Sequence, residues 1–243
     1  MSSPLSLRLN GTLRPEAWRK TFQAHGRLHI PDILQRNSAS ALHQSLVHSP
    51  DWVRSIHLTP SQDVDITQAQ LDEMEEAERI ELERSLVDSS TDHVRYVFDK
   101  VRITSELNAG GVVSEPMRAI HEFVNGSAFL SFLKRLTGDE RISFADVMAT
   151  RYIAGHFATA HGDELPGQSR LYAYVLNLTP IWRADWGGIL MFLDEDGHVA
   201  EGYTPAFNAL NVFAVPQTHA VSEVTRLAPA PRHSVTGWVH AKV

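Results

Sequence analysis

Helical patterning fills the first half of this 243-residue chain, and short alternating runs fill the second. That order predicts an α+β fold: a double-stranded β-helix (jelly-roll) core with supporting N-terminal helices. Residues 1–141 read as mainly helical support with some strands. From Ile142 onward, β-branched and aromatic residues alternate between Gly, Pro and Asp breaks, so 142–243 reads as the jelly-roll core. No repeat, low-complexity tract or Pro/Gly/Ser linker divides the two parts, and 1–243 is expected to be a single domain.

Each element has a local reason. Residues 15–25 carry Pro at the start and Gly26 just beyond the end, the asymmetry of a short helix. Ser38 or Ser40 is placed to cap a helix reaching about Val47. Residues 52–58 read as a strand. One charged helix is expected over 67–87, with Leu71, Met74, Ala77, Leu82 and Leu86 as a partial apolar stripe. Residues 93–98 read as a strand. Helices follow over 115–124, with Pro116 in the first turn and Gly126 beyond, and over 129–136, stopped by Gly138. The expected core strands are 144–153, 171–178, 188–193, 209–215, 220–224 and 234–240, and Asp194-Glu195-Asp196-Gly197 signals a hairpin turn.

The composition, 43% apolar and 21% charged, is that of an ordinary globular protein. A chain this long can bury about 70–75% of its unfolded surface. Nothing approaches the roughly 18 apolar residues of a membrane-spanning helix. The N-terminus lacks the basic-then-apolar run of a signal peptide, and the absence of cysteine excludes disulfides and zinc–thiolate sites. A cytoplasmic protein without membrane partners is expected. The net charge of −7 is uneven: residues 63–92 alone carry −9. Direct nucleic-acid binding is not expected, because it needs clustered Lys and Arg. The acidic stretch is either a solvated face or a field that attracts a basic partner.

The chemistry is concentrated late in the chain. His161-Gly162-Asp163 and a distant His219 make a His-x-Asp…His set, the donor pattern of a 2-His-1-carboxylate facial triad on non-haem Fe(II). On extended backbone, positions two apart point the same way, so His161 and Asp163 can reach one metal. Thirteen residues past His219 comes Arg232-His233-Ser234 in a strand-like run. A guanidinium grips a carboxylate through two N–H groups, and a hydroxyl beside it adds a donor. A dicarboxylate that chelates iron at one end needs such an anchor at the other, and 2-oxoglutarate fits that description. O2 is the implied oxidant.

These residues resemble a known family. His161-Gly162-Asp163-Glu164-Leu165, Trp186-Gly187-Gly188-Ile189-Leu190, the 205–210 and 219–224 runs, and Arg232-His233-Ser234-Val235-Thr236-Gly237-Trp238 look like the Fe(II)/2-oxoglutarate prolyl hydroxylases. Within that family the chain resembles the ribosomal-protein prolyl hydroxylases of eukaryotes, whose catalytic domain is followed by a second, non-catalytic copy of the fold. The likeness covers about 143–242 and is looser upstream, where 22–34 resembles the family's helix-then-strand entry. It implies Fe(II), 2-oxoglutarate and O2, with ascorbate as a candidate accessory reductant. It also implies a proline-containing protein substrate, a basic ribosomal protein of the small subunit being the finer expectation. His161, Asp163 and His219 would be iron ligands, Arg232 the anchor of the distal carboxylate, Ser234 its helper, and Tyr152 a residue over the co-substrate. Asn177 stands where many relatives have Tyr, which leaves its role as a co-substrate contact less defined.

Plainer roles stand beside these. Tyr152 is otherwise a half-buried strand aromatic, and Trp238 is a core residue or a wall of the pocket. Trp182 and Trp186 are lid contacts or loop packing. Gly187-Gly188 enters a strand, so it serves a turn and not a phosphate cradle. His156, His198, His233 and His240 have no partner at ligand spacing and are read as structural. Rival functions are a 2-oxoglutarate-dependent hydroxylase of a free amino acid or small metabolite, and a catalytically silent jelly-roll binding module. A zinc hydrolase would leave Arg232-x-Ser234 unexplained.

Overall fold

The computed structural model describes residues 5–59, 62–87, 94–164, 167 and 169–242. Among the described residues thirteen strands form one antiparallel hydrogen-bonded sheet. They are β1 (Arg27–Ile30), β2 (Val53–Thr59), β3 (Gln62–Thr67), β4 (Tyr96–Arg102), β5 (Ile142–Ala145), β6 (Met148–Tyr152) and β7 (Phe157–His161). The rest are β8 (Arg170–Asn177), β9 (Leu190–Leu193), β10 (Val199–Tyr203), β11 (Ala209–Ala214), β12 (His219–Val221) and β13 (Arg232–Ala241). The main order is β1-β11-β8-β13-β6-β4-β7-β12-β9-β10, with β2 on β4, β3 on β2 and β5 on β13. Ala173, Leu190, Phe192 and Phe213 pack the β9 end of this path against β8 and β11, which makes the two layers of the expected jelly roll. Arg27 on β1 pairs with Glu201 on β10 at 2.5 Å and lies over Phe192, tying the two ends of the path together.

Helices α1 (Pro15–His25), α2 (Arg36–Val47), α3 (Gln68–Glu73), α4 (Glu76–Val87), α5 (Thr104–Asn108), α6 (Glu115–Val124) and α7 (Ser127–Thr137) supply the support. Apolar residues of α1, α2, α6 and α7, among them Phe22, Leu42, Ile120 and Phe132, share one core with Leu176, Leu210 and Val235 of the sheet. That burial removes the outer face of β8, β11 and β13 from water and fixes the strands whose inner faces point at the cavity.

Several expected boundaries change. The single helix over 67–87 is two, because Met74 is extended (φ −67°, ψ 131°). Thr67 starts the first with a capping box to Gln70, and the Glu78 carboxylate accepts from Glu75 N–H before the second. The break turns Leu71, Met74 and Leu82 together onto Ile56, Ile66 and Val97. Neither Ser38 nor Ser40 caps α2, which starts after Gln35. Ser38 is buried inside the helix, where its hydroxyl donates to Ser6 O and accepts from Arg8 N–H.

The strand expected over 144–153 breaks at Asp146-Val147, where Asp146 N–H donates to Trp238 O and Trp238 N–H donates to Asp146 Oδ1. A side chain at Gly237 would collide with Asp146 O, so only glycine lets β13 approach there. β9 is shorter than expected, because Gly187 (φ 69°) and Gly188 (φ 62°) form the turn before it. Position 187 also lies against Glu223 O, leaving no room for a Cβ. The hairpin turn at 194–197 forms as expected between β9 and β10. His93, Leu165 and residues 88–92 lie outside the described residues.

Candidate metal centre and its cavity

His161 ends β7, and His219 opens β12, directly opposite it in the register. The two rings lie 4.3 Å apart, centroid to centroid. Asp163 sits in the loop just past β7 and not on the strand, yet its carboxylate still reaches the pair. Oδ2 is 3.6 Å from His219 Nε2, and Oδ1 is 3.9 Å from His161 Nε2. All three donor atoms lie within 4.8 Å of one another, so one ion can touch them all. Each imidazole is oriented from behind. His161 Nδ1–H donates to Thr159 O at 2.7 Å and His219 Nδ1–H to Gln217 O at 2.9 Å, which is the tautomer that leaves Nε2 as a lone pair. Burial, and then the neighbouring His161, lowers the His219 pKa, with Asp163 opposing; the ring stays neutral and able to ligate.

The triad opens onto a cavity of about 470 Å³ that also receives Arg232, Ser234, Tyr152 and Trp238. Arg232 is 2% exposed. Its Nη2–H donates to Asn177 Oδ1 at 3.3 Å and its guanidinium lies 5.2 Å from the Tyr152 ring, but Nε and Nη1 have no partner. Among the described residues no carboxylate lies within ion-pair distance of it. A buried guanidinium with donors to spare is costly unless an anion arrives. The site thus fits a carboxylate at this end and a divalent metal at the other.

Ser234 Oγ meets Thr150 Oγ1 at 2.8 Å, and the register places Thr150, Ser234 and Asn177 side by side on β6, β13 and β8. Burial pushes the Tyr152 hydroxyl up to about 12, against the pull of Arg232, so it remains a neutral phenol. Asn177 is fully buried and holds Arg232 from the side, with Nδ2–H donating to Ala209 O at 3.4 Å. Tyr152 and Asn177 therefore flank the Arg232 guanidinium, and Ser234 lines the same cavity.

Trp238 is a cavity wall that packs, partly buried, against the Ala173, Leu190, Phe192 and Phe213 cluster; Arg170 stacks on its ring at 3.7 Å while Arg170 Nη1–H donates to Asp163 O at 3.0 Å. Trp182 and Trp186 pack edge to face 5.6 Å apart, and Trp182 Nε1–H donates to Gly187 O: loop packing, outside the cavity lining. His198 does have company at ligand distance, Asp194 and Asp196 on an exposed turn. His240 Nε2 is 3.1 Å from Asp146 Oδ2.

Sequence reasoning missed Arg170, Thr150, Phe98 and Lys100, all on the cavity. Thr150 was within reach of it, being two residues before Tyr152 on the same strand face. Arg170 opens β8 beside β13, and Phe98 and Lys100 enter through the pairing of β4 with β6, which no local pattern encodes.

Residues 147–240 match the family model described as the 2OG-Fe(II) oxygenase superfamily. A stretch of 119 residues, 46% of this chain, is 31% identical to prolyl 3-hydroxylase OGFOD1 of Mus musculus, and the matched stretch spans 21% of that protein's length. Among solved structures, a Pseudomonas putida prolyl-4-hydroxylase superposes with a TM-score of 0.59 at 16% identity, over 94% of this chain and 99% of that one. A Trichoplax adhaerens prolyl hydroxylase, in complex with a hypoxia inducible factor peptide fragment, gives 0.59 at 16% over 93% and 90%. Residues 147–240 are thus similar in sequence to the 2OG-Fe(II) oxygenase superfamily, and the fold over more than nine-tenths of the chain is similar to that of these solved structures.

Proposed function

We propose that this protein is an Fe(II)- and 2-oxoglutarate-dependent dioxygenase that hydroxylates a prolyl residue in a protein, with 1–243 acting as one catalytic unit. The observation that carries the reading is the meeting, in one cavity, of three convergent metal-donor atoms and a buried guanidinium with unpartnered N–H groups. His161, Asp163 and His219 would hold the metal. Arg232 would hold the distal carboxylate of 2-oxoglutarate, with Ser234, Tyr152 and Asn177 around it. When bound, the metal and co-substrate supply O2 activation coupled to decarboxylation of 2-oxoglutarate to succinate.

The chain's own residues do the placing. Thr159 O and Gln217 O fix the two imidazoles, and Arg170 steadies the Asp163 backbone. Arg232 and its neighbours set the co-substrate's orientation, and Trp238 and Phe98 wall the cavity where a target side chain would enter. Because Asp163 fills the carboxylate position, no ligand place is left for a halide, and the product expected is an alcohol.

The prolyl target is supported by the likeness to prolyl hydroxylases. A basic protein, with a small-subunit ribosomal protein as the specific candidate, is supported by the acidic 63–92 segment, whose field would speed encounter at low salt. That substrate would place the enzyme in the cytoplasm; among the described residues no helix is long and apolar enough to cross a membrane. The test is intact-mass analysis of ribosomal proteins from cells with and without the gene. A small-subunit protein that loses the mass of one oxygen atom on deletion is the expected result. If every one keeps its mass, the ribosomal target is wrong.

A further inference from the structure

Behind the sheet from the metal cavity lies a second cavity of about 540 Å³. The alternation of β2 and β4 separates the two: His57, Tyr96 and Phe98 face the metal side, Arg54, Ile56 and Val97 the other. Helices α3 and α4 form its outer wall, and residues 153–157, leading into β7, form its floor. Ile56, Leu71, Met74, Leu82, Val97 and Phe157 make most of it apolar.

One end is polar and unbalanced. Asp99 is 1% exposed and accepts from Arg54 Nε at 3.0 Å and from Arg151 Nε and Nη2 at 2.9 and 2.7 Å, so two guanidiniums share one carboxylate. Beside Arg54, His156 lines the cavity at 3% exposure. Among the described residues neither of its ring nitrogens makes a hydrogen bond of good geometry, although the Asp99 carboxylate and, less, the Arg151 backbone favour the protonated ring. Burial outweighs that and holds the ring at a pKa of about 4, so at neutral pH it keeps an N–H and a lone pair unmatched. Asp72, Glu223 and Arg79 also line the cavity, and Arg79 Nη2–H donates to Leu71 O.

We propose that this cavity is a second ligand site, taking a small monocarboxylate with an apolar chain, its carboxylate against Arg54 and His156 and its chain along Leu71, Met74 and Leu82. A carboxylate there would balance the second guanidinium and accept from the imidazole. The apolar walls would take the chain out of water, and the volume falls in the range of ligand clefts, about 300–1,000 Å³. The floor is bonded to the strands of the metal centre. Gly155 N–H donates to Val224 O and Val224 N–H to His156 O, just past β12. The site stands on these residues alone and does not depend on the reading of the metal cavity.

The test is titration of the full-chain protein with sodium octanoate, followed by calorimetry and by amide NMR. Saturable binding is expected, with shifts at Gly155, His156 and Phe157 larger than at Gly162 and Ser234. Octanol, which lacks the charge, should bind about tenfold more weakly or worse. Leu82→Trp, which fills the wall, should weaken octanoate by about tenfold or more. Arg232→Ala should leave octanoate binding unchanged, since the other carboxylate-binding cavity is then disabled. Absence of saturable binding, equal binding of octanol, or shifts confined to Gly162 and Ser234 with loss in Arg232→Ala would each overturn the proposal. Should Leu82→Trp fail to fold, the wild-type shift map decides between the two cavities by itself.

Discussion

At the scale of single residues, the site depends on side chains whose polar atoms lack partners among the described residues. Arg232 is the sharpest case, with Nε and Nη1 buried and unmatched. A charge-assisted bidentate contact to 2-oxoglutarate is worth about 3 kcal/mol, roughly a hundredfold in affinity. Arg232→Ala should therefore raise the KM for 2-oxoglutarate by about that factor while leaving Mn(II) affinity, read by EPR titration, nearly unchanged. An unaltered KM would place the anchor elsewhere. Two buried histidines make a second prediction. Burial holds both His156 and His233 near a pKa of about 4, against an ordinary value of 6.5. Between those values the unfolded chain binds more protons than the folded one, so stability is full above pH 6.5 and is lost as pH falls toward 4. Each ring accounts for about 3 kcal/mol of that loss at most. Melting midpoints should drop over this window, and His156→Gln should flatten the drop; an unchanged slope would mean that the ring protonates as readily folded as unfolded. The convergence of His161, Asp163 and His219 and the nearby Arg232 were legible as candidates because each is a short motif with a fixed spacing. Asn177 was placed on the right strand, and its hold on Arg232 became visible only with the register of β8 against β13.

At the scale of elements, β13 does most of the positioning. It pairs with β5, β6 and β8 and carries Arg232, Ser234 and Trp238 into the cavity. Its approach to the β5–β6 break depends on Gly237, where any Cβ would meet Asp146 O. Gly237→Ala should destabilise the protein by about 2–4 kcal/mol, measured by urea unfolding. The loss of the Trp238 N–H bond to Asp146 should accompany it. A change below about 0.5 kcal/mol would show that the strands can part without cost. This break also explains what the sequence concealed. Residues 144–153 read as one alternating strand, and nothing in their pattern marks Asp146, whose carboxylate and N–H bond to Trp238 of β13, 92 residues away. The 67–87 stretch has a single charge character, so its periodicity gave no sign that Met74 would turn extended to bring Leu71 and Leu82 onto one apolar cluster. Most jelly-roll strands beyond Ile142 were legible because alternation and turn residues are local; β3 and β10, polar and half-exposed, and the short β7 that carries His161 were not.

At the scale of the whole molecule, one sheet serves two cavities. Its inner face gathers the metal donors and the Arg232 end, and its outer face receives the N-terminal helices on one part and the second cavity on another. The N-terminal half is therefore more than a support: β2 and β4 extend the sheet and contribute His57, Phe98 and Lys100 to the metal cavity. A domain built this way should bind and turn over 2-oxoglutarate as one unit, and the acidic segment should act only on the approach of a substrate. Added salt should lower kcat/KM on a basic protein and leave substrate-free turnover of 2-oxoglutarate unaffected. The most direct measurement of the central claim is succinate release by purified protein supplied with Fe(II), 2-oxoglutarate, O2 and proline-containing peptides, with peptide mass read in the same reaction. Wild type should form succinate together with a peptide heavier by one oxygen atom, and His161→Ala and His219→Ala should form neither. Succinate and oxidised peptide at wild-type rates from either variant under limiting iron, or none from wild type with any 2-oxoglutarate-dependent substrate, would contradict it.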